Sequence, residues 1–171
     1  QVGSQDQVCA AFGGINKIEF QTNGEILTRP ITHSKERIQM LNDSCMLFFT
    51  GIARTAAEVA DTYVANIASK ERQLTKMYAM VDDAMDILDG RRDVDEFGWL
   101  LHEGWMEKRS LSEQVSNQYV DDIYKAARTA GALGGKLVGA GGGGMMLLFV
   151  PLEKQANVRK QLSELIHVPF R

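Results

Sequence analysis

The residues best suited to chemistry in this chain are the glycines of the segment from Gly134 to Val150, which reads GGKLVGAGGGGMMLLFV. An unbroken glycine run extends from Gly141 to Gly144, and an apolar block follows it directly. Glycine adopts positive φ angles without penalty and lets another group approach the backbone closely. Successive backbone N–H groups in such a loop form a nest that binds anions such as phosphate. The spacing predicts a tight loop between two strands, either a phosphate-binding loop or a plain hairpin turn.

A carboxylate near the start of the chain is a second candidate for chemistry. Asp6 lies in the phrase GSQDQ, and the pair Gly13-Gly14 follows soon after. On this local pattern alone, Asp6 could simply stabilise the positive end of a helix dipole. It could equally serve phosphoryl transfer, which needs a group to accept or orient the proton of the attacking hydroxyl. Both interpretations of Asp6 stay open at this point.

Three cationic side chains stand where they could meet a phosphate-bearing ligand. Arg54 follows a predicted buried strand, and Lys108 and Arg109 come shortly after Trp105 on a predicted helix. Arginine and lysine form strong charge-assisted hydrogen bonds with phosphate oxygens. The alternative is that these side chains are simply solvated at the surface, as most charged residues are.

The residues before position 45 predict a hairpin and a connection. Alternating apolar and polar residues flank Asn23-Gly24, a dipeptide typical of hairpin turns, and predict a pair of short strands. The polar residues 32–44 predict a linker or crossover between two domains.

The apolar spacing beyond residue 45 predicts a strand, four helices, a strand, the glycine loop, a strand, a helix and a final strand. The predicted helices cover about residues 56–67, 74–88, 93–105, 117–129 and 153–165. Strands on either side of a run of helices are typical of an α+β domain, in which helices cover a sheet.

The size and charge of the chain limit its class. Its 171 residues are 44% hydrophobic and 24% charged, which fits one globular unit with a real core. A net charge of −3 without any basic run argues against nucleic acid as a partner. No apolar run is long enough to span a bilayer. Cys9 and Cys45 lack metal-ligand spacing, and reduced thiols of this kind predict a cytoplasmic protein.

Several separated phrases resemble one family of small-molecule kinases. The stretch GGKLVGAGGGG resembles the third signature motif of the GHMP kinases, named after galactokinase, homoserine kinase, mevalonate kinase and phosphomevalonate kinase. The phrase around Asp6 is similar to the segment that carries the catalytic aspartate in the sugar-type members. FFTGIAR and LHEGWMEKRSLS resemble phrases of the D-glycero-D-manno-heptose 7-phosphate kinase branch. The resemblance extends from about Val2 to Arg171.

This resemblance implies a fold, a reaction and a set of residue roles. The implied fold is the α+β GHMP kinase C-terminal domain, a ferredoxin-like sheet with additional helices, over residues 45–171, with residues 1–40 as the tail of the N-terminal domain. The implied reaction transfers the γ-phosphoryl group of ATP to the anomeric hydroxyl of D-glycero-D-manno-heptose 7-phosphate. Asp6 would accept or orient the hydroxyl proton. Substrate or phosphate would contact Gly139, Ala140, Gly141, Gly142, Gly143, Gly144, Arg54, Lys108 and Arg109.

The chain also departs from the family pattern. No Gly/Ser-rich loop of the PxxxGLGSS type, which grips ATP and helps to hold Mg²⁺, occurs in the sequence. By order it would precede Gln1, so the ligands of Mg²⁺ are expected upstream, and the 171-residue chain alone is predicted to be inactive. The expected partners are a sugar phosphate and ATP, with neither nucleic acid nor membrane. Two alternatives remain: a kinase of the galactose or fucose type, and a non-catalytic binding domain built on this half-fold.

Overall fold

The computed structural model of the chain describes residues 4–52, 67–139 and 141–170. Within these ranges the helices are α1 (Gln5–Phe12), α2 (Lys35–Ser44), α3 (Glu71–Leu88), α4 (Asp95–Arg109), α5 (Gln118–Ala130) and α6 (Gln155–Gln161). The strands are β1 (Asn16–Phe20), β2 (Ile26–Pro30), β3 (Cys45–Phe49), β4 (Gly134–Val138), β5 (Met145–Phe149) and β6 (Ile166–Val168). The predicted α+β class is confirmed. No helix among these residues is long and apolar enough to cross a membrane.

Strands β1 and β2 form the predicted antiparallel hairpin. The turn depends on Asn23-Gly24, the dipeptide from which the sequence predicts it. Gly24 has a φ angle of 88°, which favours glycine, and the Asn23 side chain accepts a hydrogen bond from the Glu25 N–H at 2.9 Å. The hairpin is a separate two-stranded sheet and does not join the larger sheet that follows.

Most of the segment 32–44, which the sequence predicts as a linker or crossover, is helix α2. Ser34 caps its first turn by accepting a hydrogen bond from the Arg37 N–H at 3.1 Å. The helix is polar on most sides, so its sequence lacks the apolar stripe that would have indicated it. Its position is fixed by the Arg37 guanidinium, which donates to the carbonyl of Ile87 at the end of α3.

A four-stranded antiparallel sheet forms the centre of the rest of the chain, with the strand order β4-β5-β3-β6. Helices α3 to α5 connect β3 to β4, and α6 connects β5 to β6. This β-α-β-β-α-β order is the ferredoxin-like arrangement that the sequence predicted, with additional helices in its first crossover. Strands β4 and β5 are joined directly by the glycine loop.

One face of this sheet carries the hydrophobic core. Alternation along the strands turns Met46, Phe48, Leu137, Met146 and Leu148 to the same side, where all of them are buried. Helices α5 and α6, together with the residue that directly follows α6, cover this face with buried side chains, namely Val120, Ile123, Tyr124, Ala127, Val158 and Leu162. The apolar stripe predicted over residues 117–129 is thus confirmed as the inner face of α5.

Helix α4 approaches strand β4 so closely that only glycine fits at the contact. A Cβ atom on Gly134 would lie 1.8 Å from the carbonyl oxygen of Gly98. A Cβ atom on Gly98 would in turn lie 2.6 Å from Cβ of Leu133. Because neither position tolerates a side chain, backbone meets backbone at the beginning of α4, and this contact fixes the course of the whole helix.

The boundaries of the other predicted helices are confirmed in part. Helices α3 and α4 lie where the stripes over 74–88 and 93–105 predict them, and the Asp93 carboxylate accepts a hydrogen bond from the Asp95 N–H at 2.9 Å. The last helix is shorter than the predicted range 153–165, because the chain turns after Gln161 to return as β6 beside β3. The helix predicted over 56–67 falls outside the described residues except for its last position.

Candidate active site

The glycine loop is a tight turn between β4 and β5, as the sequence predicts. Four of its glycines have positive φ angles: Gly139 (92°), Gly141 (122°), Gly142 (75°) and Gly144 (94°). Residues with a side chain rarely adopt such angles, so the path of the loop depends on the glycine run. Ala140, which the sequence places in the same loop, lies outside the described residues.

Only alternate N–H groups of the loop donate hydrogen bonds to described residues of the fold. Gly142 donates to the carbonyl of Val115 at 2.8 Å, and Gly144 donates to the carbonyl of Ile52 at 2.7 Å. No acceptor among the described residues pairs with the N–H groups of Gly141 or Gly143, although both glycines are buried. Unpaired buried N–H groups are costly, and the oxygens of an anionic ligand would satisfy them. The loop therefore has the chemistry of a phosphate site.

The carbonyl groups of the loop are held from three sides. The Asn117 side-chain amide donates to the Gly142 carbonyl at 3.0 Å. Thr50, at the end of β3, donates its hydroxyl to the Gly144 carbonyl at 2.9 Å. The Lys108 ammonium, near the end of α4, donates to the Gly139 carbonyl at 2.5 Å. Strand β3, helix α4 and the beginning of α5 thus fix the loop together.

Of the two predicted cationic ligands that the structure describes, Lys108 lies at the loop and Arg109 does not. Burial and, to a lesser extent, the nearby Lys136 ammonium lower the pKa of the Lys108 ammonium group to about 8, while the Asp6 carboxylate opposes this shift. The structure thus brings Lys108 to the glycine loop, and the Asp6 carboxylate is near enough for its charge to act on Lys108.

Lys136 belongs to this site, although sequence reasoning missed it. It lies on β4, where alternation turns Leu137 to the core and Lys136 to the opposite side. Burial lowers the pKa of its ammonium group. No carboxylate pairs with it in the part of the chain that the structure describes. A lysine within a strand is ordinarily solvated, so only its position between the glycines of the stretch could have indicated a role.

Lys108 and Lys136 stand beside a cavity of about 320 Å³ between helices α3 and α4. The rest of its wall is apolar and includes Met77, Met80 and Leu101. An apolar wall lowers the local dielectric constant and strengthens the attraction between the two ammonium groups and any anion that reaches them. The site thus combines unpaired backbone donors with two cations that have no carboxylate partner among the described residues.

The structure does not bring Arg109 to the loop. Its guanidinium forms an ion pair with the Asp121 carboxylate at 2.5 Å, and Asp121 also accepts a hydrogen bond from the Ser116 hydroxyl at 2.6 Å. Successive residues of a helix point in directions about 100° apart, which is why Lys108 and Arg109 reach different neighbours. Arg109 joins α4 to α5. Arg54 lies outside the described residues.

Asp6 occupies the first turn of α1, and its side chain is exposed. Ser4, the residue that precedes the helix, makes no side-chain capping bond to it. Among the described residues, no group of three or more His, Cys, Asp or Glu side chains could hold a metal ion.

Comparisons with known proteins agree with this geometry. The family model described as GHMP kinases C terminal matches residues 70–167. The D-glycero-alpha-D-manno-heptose 7-phosphate kinase of Campylobacter jejuni is 35% identical over 95% of the chain and 48% of its own length. The L-fucokinase/L-fucose-1-P guanylyltransferase of Bacteroides fragilis is 32% identical over 95% of the chain and 18% of its own length.

A solved structure gives the same result. The crystal structure of a D-glycero-D-manno-heptose 1-phosphate kinase from Bacteriodes thetaiotaomicron superposes with a TM-score of 0.69 and 26% identity, over 100% of this chain and 46% of that one. The chain thus spans about half the length of the heptose kinases that it matches. The chain belongs to the GHMP kinase family and matches its C-terminal domain.

Proposed function

We propose that the protein carrying this chain is an ATP-dependent sugar kinase that phosphorylates the anomeric hydroxyl of D-glycero-D-manno-heptose 7-phosphate. The observation that carries the proposal is the pair Lys108 and Lys136 beside a glycine loop in which two N–H groups have no acceptor among the described residues. A reaction between two phosphate-bearing molecules needs two anion sites. The loop supplies one of them, and the two lysines supply the other. The heptose kinase of C. jejuni, with its similarity over 95% of the chain, supports the choice of sugar.

Each proposed role follows from the chemistry of the group. Asp6 accepts or orients the proton of the attacking hydroxyl, since phosphoryl transfer depends on the position of the nucleophile. The loop from Gly139 to Gly144 contacts phosphate through its backbone. Lys108 binds the phosphate that the sugar already carries, and Arg54 is proposed as a second ligand of that phosphate. Arg109 has no proposed ligand, because Asp121 already compensates its charge.

The proposal divides the chain in the same way as the sequence does. Residues 1–40 belong to the end of an N-terminal domain, and residues 45–171 form the C-terminal domain. ATP is the phosphoryl donor, and Mg²⁺ would compensate the charge of its phosphates when bound. The residues that hold Mg²⁺ are expected outside this chain. The isolated 171-residue chain should therefore bind phosphate compounds without turnover.

A direct assay tests the proposal. The protein carrying this chain is mixed with ATP, Mg²⁺ and one acceptor at a time, and ADP release and the ³¹P spectrum of the product are recorded. The acceptors are heptose 7-phosphate, the same heptose without phosphate, fucose and galactose. We expect turnover with heptose 7-phosphate and at least a tenfold lower kcat/KM without its phosphate, since a charge-assisted contact is worth about 1.5–3 kcal/mol. Equal rates with and without that phosphate would contradict the proposed acceptor.

A fucose kinase is the second candidate, because the B. fragilis relative is similar over 95% of the chain. Fucose carries no phosphate, so the two candidates make different predictions for Lys108. In a fucose kinase, Lys108→Ala should leave the KM of the sugar within about twofold of the parent. If ATP binds and no acceptor turns over, the non-catalytic alternative replaces both.

A further inference from the structure

We infer that Asn117 is a positioning residue, which turns the backbone N–H of Gly143 outward toward a phosphoryl oxygen. The inference rests on the proposed function in one respect, namely that the glycine loop binds phosphate. Asn117 precedes α5 and contacts two elements at once. Its side-chain oxygen accepts a hydrogen bond from the Val120 N–H at 3.0 Å, and its side-chain nitrogen donates to the Gly142 carbonyl at 3.0 Å.

The orientation of the Asn117 amide follows from its two partners. The Val120 N–H can only donate, and the Gly142 carbonyl can only accept. The oxygen must therefore face Val120, and the nitrogen must face Gly142. One side chain thus caps helix α5 and holds a loop carbonyl that lies 25 residues further along the chain.

Peptide geometry carries this contact to the next residue. The Gly142 carbonyl and the Gly143 N–H belong to one planar trans peptide group, so they point in opposite directions. A side chain that holds the carbonyl against the fold therefore points the N–H away from it. The Gly143 N–H has no acceptor among the described residues, as expected of a donor whose acceptor belongs to a bound ligand.

Glycine makes such a restraint necessary. Gly142 has a φ angle of 75°, and the residues on both sides of it are also glycines. A glycine segment of this kind can rotate its peptide groups at little cost. If the group between Gly142 and Gly143 rotated by half a turn, its carbonyl oxygen would face the phosphate and repel it. Asn117 opposes that rotation, since it binds the carbonyl in only one of the two orientations.

Two substitutions separate this role from capping. Serine and aspartate cap helices about as well as asparagine, so Asn117→Ser and Asn117→Asp both keep an acceptor for the Val120 N–H. Serine is too short to reach Gly142, and aspartate presents an acceptor to an acceptor. In the protein carrying this chain, we expect both variants to melt within about 2 °C of the parent. Their kcat/KM for ATP should be about 10- to 100-fold lower, the range for a lost charge-assisted hydrogen bond.

A second measurement does not depend on turnover. Pyrophosphate is added to the ¹⁵N-labelled protein, and the amide resonances of Gly141 and Gly143 are followed. The parent should show a shift at both amides, and the Gly143 shift should be lost in Asn117→Ser. The matched control is Ser34→Ala, which removes the cap of α2 far from the loop along the chain. It should lower the melting temperature by about 2–4 °C and leave both kcat/KM and the Gly143 shift unchanged.

The outcomes separate this inference from the proposed function. If Asn117→Ser keeps kcat/KM within twofold of the parent and also keeps the Gly143 shift, the inference is overturned. The inference is also overturned if kcat/KM falls only in Asn117→Asp, because the new negative charge would then be the cause. If the parent phosphorylates no acceptor, the proposed function fails, and the response of Gly143 to pyrophosphate still decides the role of Asn117. A parent without that response would overturn the inference.

Discussion

The two ends of helix α4 contact the β4–β5 hairpin in opposite ways. At its beginning, Gly98 and Gly134 bring two backbones together without room for a Cβ atom. At its end, the long side chain of Lys108 reaches across to the Gly139 carbonyl. The first contact depends on the absence of side chains, and the second depends on a charged one.

This difference shows how the fold positions the site. A helix is stiff and rises about 1.5 Å per residue, so the close contact at Gly98 determines where Lys108 lies. At the packed end the contact is made by two backbones alone. At the charged end, the Lys108 ammonium group has no carboxylate partner among the described residues. Substitutions at the two ends should therefore change different quantities, stability at one and ligand binding or turnover at the other.

The largest effect is expected at Asp6, whose charge acts on the charged end of α4. In the complete enzyme, Asp6→Asn should lower kcat by about 10²–10⁴-fold, the usual contribution of a general base. The melting temperature and the KM of ATP should change little, because losing one exposed charge from the first turn of α1 costs only about 0.3–1 kcal/mol of helix-dipole stabilisation. Steady-state kinetics and thermal melting measure both. A kcat within a few-fold of the parent would remove Asp6 from the mechanism.

The packed end should respond in stability. Gly134→Ala places a Cβ atom 1.8 Å from the Gly98 carbonyl oxygen, so α4 must move away from β4. We expect a loss of about 3 kcal/mol in the free energy of unfolding, as for a severely overpacked core. Urea denaturation measures it.

Gly104→Ala on the same helix is the matched control for this substitution. Its Cβ atom would lie 3.4 Å from the flexible end of Met80, and alanine favours a helix over glycine by up to about 1 kcal/mol. It should therefore leave the protein equally stable or stabilise it. If both variants lost the same free energy, the close contact at Gly134 would not be what fixes α4.

The adjacent residues Lys108 and Arg109 should separate binding from stability. Lys108→Ala should raise the KM of the sugar phosphate by about 10- to 100-fold and leave the KM of ATP near normal. Arg109→Ala breaks an ion pair with Asp121 in which both side chains are partly buried, and it should cost about 1 kcal/mol in unfolding free energy, with KM unchanged. A higher sugar KM in Arg109→Ala, with none in Lys108→Ala, would reverse the proposed assignment.

Much of this site could be predicted from the local amino-acid sequence. The glycine run requires positive φ angles wherever it folds, and the apolar stripes require covered helix faces. The choice between Lys108 and Arg109 could not be predicted, because it depends on the rotation of α4 about its axis. That rotation is fixed by the glycine contact with β4, which is a tertiary feature.

Other parts of the site and fold could not be predicted from the sequence, for similar reasons. The sequence pattern predicts that Lys136 is a solvated strand lysine, because the pattern does not contain the packing of α4 against β4. Asn117 has the appearance of an ordinary helix cap, since its second partner, Gly142, is remote in the sequence. Helix α2 was not predicted as a helix, because its polar surface gives no periodic signal. The roles of Lys136 and Asn117 depend on contacts between segments, which no local pattern contains.

The smallest expected effect is a dependence of sugar-phosphate binding on pH. Burial and the neighbouring Lys136 hold the pKa of Lys108 at about 8, below its ordinary value of 10.5. Only the ammonium form attracts phosphate, so binding should weaken as the pH rises through 8. Stability of the free protein should move the other way. Between pH 8 and the ordinary value, the unfolded chain binds more protons at this residue, and the folded state gains stability as the pH rises.

The measurement is the KM of the sugar phosphate between pH 7 and 9.5, with the KM of ATP recorded alongside. It should be constant below pH 8 and then rise by up to about tenfold per pH unit, the limit for one essential proton. Lys108→Arg is the control, because a guanidinium stays protonated throughout this range and should remove the rise. A rise that persists in Lys108→Arg would assign the titration to another group, and Lys136, which faces the same cavity, would be the first to test. A constant KM in the parent would mean that Lys108 does not bind the phosphate.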